Sequence, residues 1–445
     1  MFVKPTWNLH RCVYFAGFLT VCAFFFYTYV IGRQTDFKAV SDLGSLLYVH
    51  AALWTGDKVR ISAVKDVGEM DNLLCIFLYV AKNYTIVKAY VKDMQRYESE
   101  ITVAYINCPL TSITDVNEVP LYVDLVIENA LSPGHKIRLS VENRHMDPHL
   151  IFKNAAKGSK GCERELNEKR VVQFTVCIPP MFEYGNAAQL VEKLEMVRLL
   201  GAGRVVLYDT SIESNVRSVL ELYTQEWAAG TGTLEVVVLS WKLPRIPMHY
   251  KGQIAAMDDC LYRYGWLSHY MVFDDLDEIM IPLRHDNWSQ LIADREKARP
   301  GSPAFMFRCS VMNKDHSSPP KGFHAAALLY QSSVLSFTQR DTYIYDFSNK
   351  GKLIVNPRKM QSLEVHNIYE ANGTTDVIPV EQGILYHYRW PLRPCDPEIR
   401  DTRVATKFGL RLLQRLRLIW SKLEGISKGD EILRLGESRA TCKNR

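Results

Sequence analysis

Residues 166–400 predict an α/β fold with a mostly parallel sheet, preceded by a smaller β-rich luminal domain and a single N-terminal transmembrane helix. Three observations carry this. From Val171 onward, short apolar runs alternate with amphipathic segments of helical length, the pattern of repeated strand–helix–strand units. Two of those runs end in carboxylates, at Asp209 and at Asp274-Asp275-Leu276-Asp277-Glu278, and ligands of such sheets bind at the carboxyl ends of strands. Near the N-terminus, Cys12–Ile31 is an uncharged run of 20 residues, the ~20 that a helix needs to cross a hydrocarbon core of ~30 Å.

Residues 1–11 form a tail too short to be a domain and are expected in the cytosol. Residues 12–31 read as an uncleaved signal-anchor. A cleaved leader has a shorter apolar core, and no small-residue cleavage pattern follows Ile31. The body would then lie in a secretory lumen. Eight cysteines lie outside the span (Cys75, Cys108, Cys162, Cys177, Cys260, Cys309, Cys395 and Cys442), an even count that allows up to four disulfides in an oxidising compartment. Sequons at Asn83, Asn287 and Asn372 agree with that compartment. The formal net charge is +5, but residues 400–445 hold 12 Lys and Arg against 5 Asp and Glu, so the other 399 residues carry −2. A nearly neutral body argues against nucleic acid as a partner.

Residues 32–57 read as a short stem. Residues 58–165 read as the β-rich domain, with alternation at Val59–Val64 and in parts of Leu74–Val80 and Ile101–Ile106. A turn is expected at Ser132-Pro133-Gly134, and the charged, Gly-containing stretch 153–169 marks a boundary. Val171–Ile178 is the first strand of the α/β unit. Asn186 caps the helix that follows, with Gln189 at the capping-box position. Val205–Tyr208 is the second strand and ends at Asp209. Thr210 and Glu213 form a second capping box, opening a helix to about Ala228. Leu234–Leu239 is a strand, Gln253–Tyr264 a helix and Tyr270–Phe273 a strand. Beyond Pro282 the spacing predicts a helix over Trp288–Lys297, a strand over Ala304–Met312 and a polar loop over Asn313–Phe323. Residues 401–445 hold a basic amphipathic helix, with Leu412, Leu416, Ile419 and Leu423 on one side.

Four carboxylates in five positions follow Phe273. With period-two alternation, Asp275 and Asp277 would point the same way. Paired carboxylates make a hard-oxygen site for Mn²⁺ or Mg²⁺, and such an ion could hold a nucleotide diphosphate. A bare D-x-D is common, and an acidic turn in solvent is its ordinary reading. The strand context and Glu278, which would support the ligands or cap the next segment, favour the metal. Asp209 at its strand end could accept from a uracil or ribose, or simply cap a helix. Gln253 and Asp258 lie on a helix expected to flank the donor pocket. Asp315, Asp341 and Asp346 follow the metal motif and are the candidates for a base that takes the acceptor's proton. The chain has neither G-x-G-x-x-G nor G-x-x-x-x-G-K-[ST], which speaks against dehydrogenases and P-loop enzymes.

From Val171 to Arg389 several motifs occur together. They are Cys177-Ile178-Pro179-Pro180, Val206-Leu207-Tyr208-Asp209, Gly252-Gln253 with Asp258-Asp259-Cys260, and the Phe273–Glu278 stretch. Asn356-Pro357-Arg358-Lys359, Val365-His366-Asn367 and His387-Tyr388-Arg389 complete the set. In this order they resemble glycosyltransferase family 92, galactosyltransferases of the GT-A fold. Ile279 stands where the family has Phe, and Asp274 is an extra acid ahead of the D-x-D. The resemblance implies His387 as a third metal ligand and Arg389 against the diphosphate, UDP-galactose as donor, Mn²⁺ as cofactor, and inverting β1,4 transfer to galactose or fucose. His366 would line the acceptor side or be structural. Glycans on glycoproteins or glycolipids are the expected partners, at the Golgi membrane in type II orientation, and a homodimer is compatible with the sequence.

Two other readings compete. A glycoside hydrolase needs carboxyl groups about 5–9 Å apart on opposite sides of a sugar, for which Asp275 and Asp277 are poorly placed. A catalytically inactive member of the fold would bind glycans or scaffold other Golgi proteins. The anchor is testable directly: the expressed chain should stay with membranes through a carbonate wash and shift in size on glycosidase treatment. Release by carbonate, or a mature chain starting after residue 31, would remove the anchor.

Overall fold

The computed structural model describes residues 36–40, 46–66, 68, 70, 72–80, 83–95, 101–110, 119–128, 136–142, 171–244, 248–391 and 397–424. The Cys12–Ile31 span, Cys162, Cys395, Cys442, the Ser132-Pro133-Gly134 turn and the 153–169 boundary lie outside the described residues. Among the described residues, no helix is long and apolar enough to cross a membrane.

Between Lys38 and Glu142 the strands form one continuous hydrogen-bonded sheet, with Tyr84–Lys88 at one end of the strand order and Tyr90–Gln95 at the other. Leu73–Leu78 and Ile101–Pro109 are separated by four strands in the sheet order. The Cys75–Cys108 disulfide nevertheless joins them, with Cα atoms 6.0 Å apart, so the sheet must fold over into two layers. Val49, Ile61, Phe77, Ile106 and Leu125 fill the space between. The segment read as a stem is corrected here: Leu47–Trp54 is a mostly buried strand of this sheet. The alternation at Val59–Val64 sorts two kinds of buried neighbour rather than core from solvent. Val59, Ile61 and Ala63 face the sandwich core, while Val64 packs with residues of the α/β unit.

The α/β unit has a seven-stranded sheet in the order Glu235–Ser240, Arg204–Asp209, Val172–Cys177, Ser268–Phe273, Lys352–Val355, Ala304–Phe307, Asp376–Val377. The first four are parallel, and Lys352–Val355 runs antiparallel to its neighbours. One face buries the helices Ala187–Leu200 and Ser214–Ala228 through Leu190, Leu194, Val197, Val216 and Leu220. The other face takes the Gln253–Tyr264 helix through Ala256, Met257 and Leu261. There the Cys177–Cys260 disulfide ties helix to strand. A second sheet of five strands, Glu278–Pro282, Gly383–Arg389, Cys309–Asn313, Gln339–Asp341 and Glu398–Arg400, adjoins the first.

Local signals decide the ends. Asn186 Oδ1 accepts the Gln189 amide at 3.0 Å, as its capping position requires. The Gln189 side chain instead accepts from the Tyr184 hydroxyl at 3.1 Å, so the reciprocal arm of the box is not made. The expected box at Thr210 does not form. Thr210 and Ser211 both donate their amides to the Met181 carbonyl, at 3.1 and 3.0 Å, which holds them in the connection, and the helix begins at Ser214. The run Ala304–Met312 is two strands in different sheets, broken at Arg308. The basic helix spans Arg403–Glu424 and buries Leu412, Leu416, Ile419 and Leu423 in the main core. Its basic side is anchored by Arg415 on Glu195 at 2.7 Å and by Lys422 on Glu226.

Glu192, on the Ala187–Leu200 helix, is buried and accepts from the Ser332 hydroxyl and from the Ser333 and Val334 amides. Burial pushes its carboxyl up to about 7, against these hydrogen bonds. Its folded pKa thus exceeds the unfolded one, so its stabilising share is complete below about 4.5 and lost as pH rises through about 7. Glu192→Gln should therefore gain on the wild type in urea midpoint between pH 4.5 and 8. Parallel stability–pH curves would contradict this.

Candidate active site

The acidic segment is the link between the two sheets. Phe273 ends a strand of the first and Glu278 begins the second. Between them Asp274–Asp277 make a turn, closed by the Glu278 amide on the Asp275 carbonyl at 3.2 Å. Asp275 and Asp277 are therefore not on a strand, and their shared direction by alternation is corrected. Each turns to its own partner.

Asp275 lies beside Lys352, the first residue of the strand next to Phe273: Nζ donates to Oδ2 at 3.1 Å. Gln253, at the start of its helix, reaches Asp275 Oδ1 at 3.5 Å. Asp277 Oδ2 is 3.1 Å from His387 Nε2. His387 is the cross-strand partner of Glu278, and the Tyr388 amide donates to the Asp277 carbonyl at 2.8 Å. Glu278 is the hub. Its Oε1 is 3.2 Å from His387 Nδ1, its Oε2 is 3.4 Å from Lys352 Nζ, and it accepts the Asp275 amide at 3.1 Å. Asp274 points away and is buried on Lys193, 2.6 Å from Nζ, which also donates to the Glu278 carbonyl at 2.6 Å.

Electrostatics follow from burial. Desolvation raises Glu278 to about 7, with Asp275 and Asp277 pushing the same way and Lys352 and His387 opposing. Burial likewise raises Asp274, against Lys193. Burial works to raise Asp277 too, but the His387 hydrogen bond and charge and the Lys314 charge hold it below the usual range. Lys352 is held above the lysine range, because Asp275 and Glu278 outweigh its desolvation. Four carboxylates thus face two ammonium groups.

A cavity of about 430 Å³ opens beside Asp275 and Leu276, within the range of small-ligand pockets. Pro179, Met181, Phe182 and Tyr184, from the loop after the first strand, form one wall, and Tyr250 and Lys251 the other. Lys251 Nζ sits 3.8 Å from the centre of the Phe182 ring. Tyr250 and Lys251 have φ of +43° and +53°, a left-handed backbone that non-glycine residues rarely adopt and that concentrates at functional sites.

The structure brings Asp275, Asp277, Gln253 and His387 together, with Glu278. His366 is near, its Nδ1 3.0 Å from the Gly351 carbonyl. Arg389 ends the His387 strand, and its carbonyl accepts the Lys314 amide at 3.2 Å. Asp209 is at its strand end as expected, with Arg217 3.5 Å and Lys242 4.0 Å away. Asp258 is not brought to the group. It is buried beneath the N-terminal sandwich, beside Tyr105 and Arg60, and burial pushes it up to about 7. The base candidates are scattered. Asp315 is exposed in the loop after Asn313, whose Oδ1 accepts its amide at 2.7 Å; Asp341 is buried in the small sheet; Asp346 caps a short helix through the Phe347 amide. Among the described residues, no three His, Cys, Asp or Glu side chains converge in a metal-binding arrangement.

Sequence reasoning missed Lys193 and Lys352. Lys193 had a signal, because it lies three residues after Leu190 on the apolar side of a helix, where a lysine must find a buried partner. Lys352 had none.

Residues 172–409 match the family model for glycosyltransferase family 92. The chain belongs to this family. Three relatives from Caenorhabditis elegans illustrate the similarity. Two glycosyltransferase family 92 proteins are 26% identical over 50% of this chain and 43% of their own length, and 24% identical over 36% and 30%. The beta-1,4-galactosyltransferase galt-1 is 25% identical over 25% of this chain and 26% of its own. The chain thus spans less than half the length of the curated relatives it matches. Among solved structures, glucosyl-3-phosphoglycerate synthase from Mycobacterium tuberculosis, in complex with Mn²⁺, UDP and glucosyl-3-phosphoglycerate, aligns over 58% of this chain and 82% of its own. The TM-score is 0.25 at 14% identity.

The buried Lys193–Asp274 pair fixes the family's acidic turn against the first helix. Lys193→Met should cost ~3–5 kcal/mol, since it strands a buried carboxylate. Adding Asp274→Asn should recover most of the loss in urea unfolding. A fully stable single variant would show that the pair does not hold the turn.

Proposed function

We propose that this chain is a metal-dependent inverting glycosyltransferase of the GT-A type, moving galactose from UDP-galactose to a terminal sugar of a glycan, at the Golgi membrane with its body in the lumen. The observation that carries this is the acidic turn between two sheets beside the 430 Å³ cavity. Family membership and the galactosyltransferase relative support the sugar chemistry.

The residues suit a divalent cation by their chemistry. Four carboxyl groups, Asp274, Asp275, Asp277 and Glu278, meet two ammonium groups, Lys193 and Lys352, and the oxygens and imidazole match Mn²⁺ or Mg²⁺. Asp275, Asp277 and His387 would hold it, with Lys352 releasing Asp275. Bound there, the ion supplies charge neutralisation for a diphosphate. The other roles fall to the chain itself. Phe182 and Tyr250, 44% and 71% exposed, offer ring faces for a nucleobase. Lys251, whose Nζ lies over the Phe182 ring, is a donor for phosphate oxygens. Glu278 orients His387 and the turn. Lys314 adds positive charge toward Asp277, and Arg389 is the next charged residue on the His387 strand. Asp315, next to Lys314 in the loop, is the best sited of the three base candidates to take the acceptor's hydroxyl proton.

The chain lacking residues 1–31 should transfer galactose from UDP-galactose with Mn²⁺, stop in chelator and give a β-linked product by NMR. Asp277→Asn should cut transfer by about 10²-fold or more with the fold unchanged. An α-linked product would exclude single displacement, and another preferred donor would remove the galactose assignment. Absence of transfer from any nucleotide-sugar would favour the inactive glycan-binding alternative.

A further inference from the structure

A second cavity, of about 250 Å³, lies where the N-terminal sandwich meets the α/β unit. Lys58 and Arg60 line it from the sandwich, and Tyr262, Trp266 and Arg358 from the α/β unit. It is remote from the acidic turn. Gln253, which reaches Asp275 at 3.5 Å, starts the helix that carries Tyr262 near its other end, and the residues between them at about 1.5 Å each span ~14 Å.

Arg60 is the unusual group. It is only 7% exposed, and its guanidinium is a cation. Its hydrogen bonds go to neutral acceptors: Asn107 Oδ1 at 2.9 Å, the Gln361 carbonyl at 3.0 Å and the Tyr262 hydroxyl. The guanidinium lies 4.6 and 4.7 Å from the ring centres of Tyr105 and Tyr262. The buried carboxylate of Asp258 is near, but none of these hydrogen bonds goes to it. Arg358 is exposed and donates to the Ser268 carbonyl at 3.1 Å. Lys58 is paired with Asp57 at 2.9 Å. The lining therefore holds three cationic side chains and one carboxylate. A buried cation short of counter-charge favours an anion, and the half-buried Trp266 offers an aromatic face beside it.

We propose that this seam cavity is a second saccharide site, taking a pyranose that bears a sulfate or carboxylate group. The anion lies against Arg60 and Arg358, and the sugar ring against Trp266. The site binds without donor or metal and stands or falls independently of the transfer reaction.

Titration calorimetry on the purified full chain, without nucleotide or metal, tests it with galactose 6-sulfate, galactose and inorganic sulfate. Galactose 6-sulfate should bind at least ~10-fold more tightly than either of the others, a difference of about 1.4 kcal/mol. Arg358→Gln and Trp266→Ala should each weaken it about 10-fold while the unfolding midpoint stays put. Equal binding of galactose and its sulfate overturns the anion subsite. Equal binding of bare sulfate overturns the saccharide. Displacement by UDP, or wild-type affinity in both variants, overturns the location.

Discussion

Burying carboxylates demands counter-charge, and this demand organises the α/β unit. Asp274 and Glu278 are almost wholly out of solvent, and each is met by a buried ammonium, from Lys193 on one side and Lys352 on the other. Lys193 rises from the first helix and holds both an oxygen of Asp274 and the carbonyl of Glu278. Lys352 starts the antiparallel strand next to Phe273 and spans Asp275 and Glu278. The turn is thus clamped from two elements far apart in the chain. Losing either cation would leave buried carboxyl groups without counter-charge, at a cost of several kcal/mol per ion.

The clamp leaves an asymmetric site. Asp274 is spent on structure, and Asp275 and Asp277 are about one-third exposed, free to change partners. Glu278 sits behind them, joining His387 to Lys352. A site of this kind exposes two carboxylates and buries the machinery that orients them, as preorganised sites do. The neighbouring cavity adds rings and a lysine on a left-handed backbone at Tyr250 and Lys251. That conformation persists because the surroundings fix it: Trp241 Nε1 donates to the Lys251 carbonyl at 3.1 Å.

The N-terminal sandwich is joined closely to this unit. Arg60 bonds to Tyr262 and to the Gln361 carbonyl, Lys92 pairs with Glu370, and Arg263 pairs with both Asp259 and Glu142. Tyr208, whose strand ends at Asp209, hydrogen bonds to Asp259 at 2.7 Å, so the sandwich contact and the sheet's carboxyl edge share one buried network.

Local reading gave the strand–helix order from Val171 to Phe273, the motif set of the family, and the position of the acidic segment at a strand exit. Those follow from local periodicity and from residue types at fixed spacing, which need no partner to be read. Leu412, Leu416, Ile419 and Leu423 were legible as a buried face for the same reason. The rest depends on contacts between distant segments. Alternation in Ala304–Met312 could not reveal that the chain changes sheets at Arg308. The D-x-D spacing suggested a strand, yet the link between two sheets makes it a turn, and partners 77 and 110 residues away orient its acids. Asp258 read as a pocket residue because a helix has two sides, and only packing against Tyr105 and Arg60 shows which one it occupies. Long-range charge pairing has no local period, so Lys352 stayed invisible until the strands were paired.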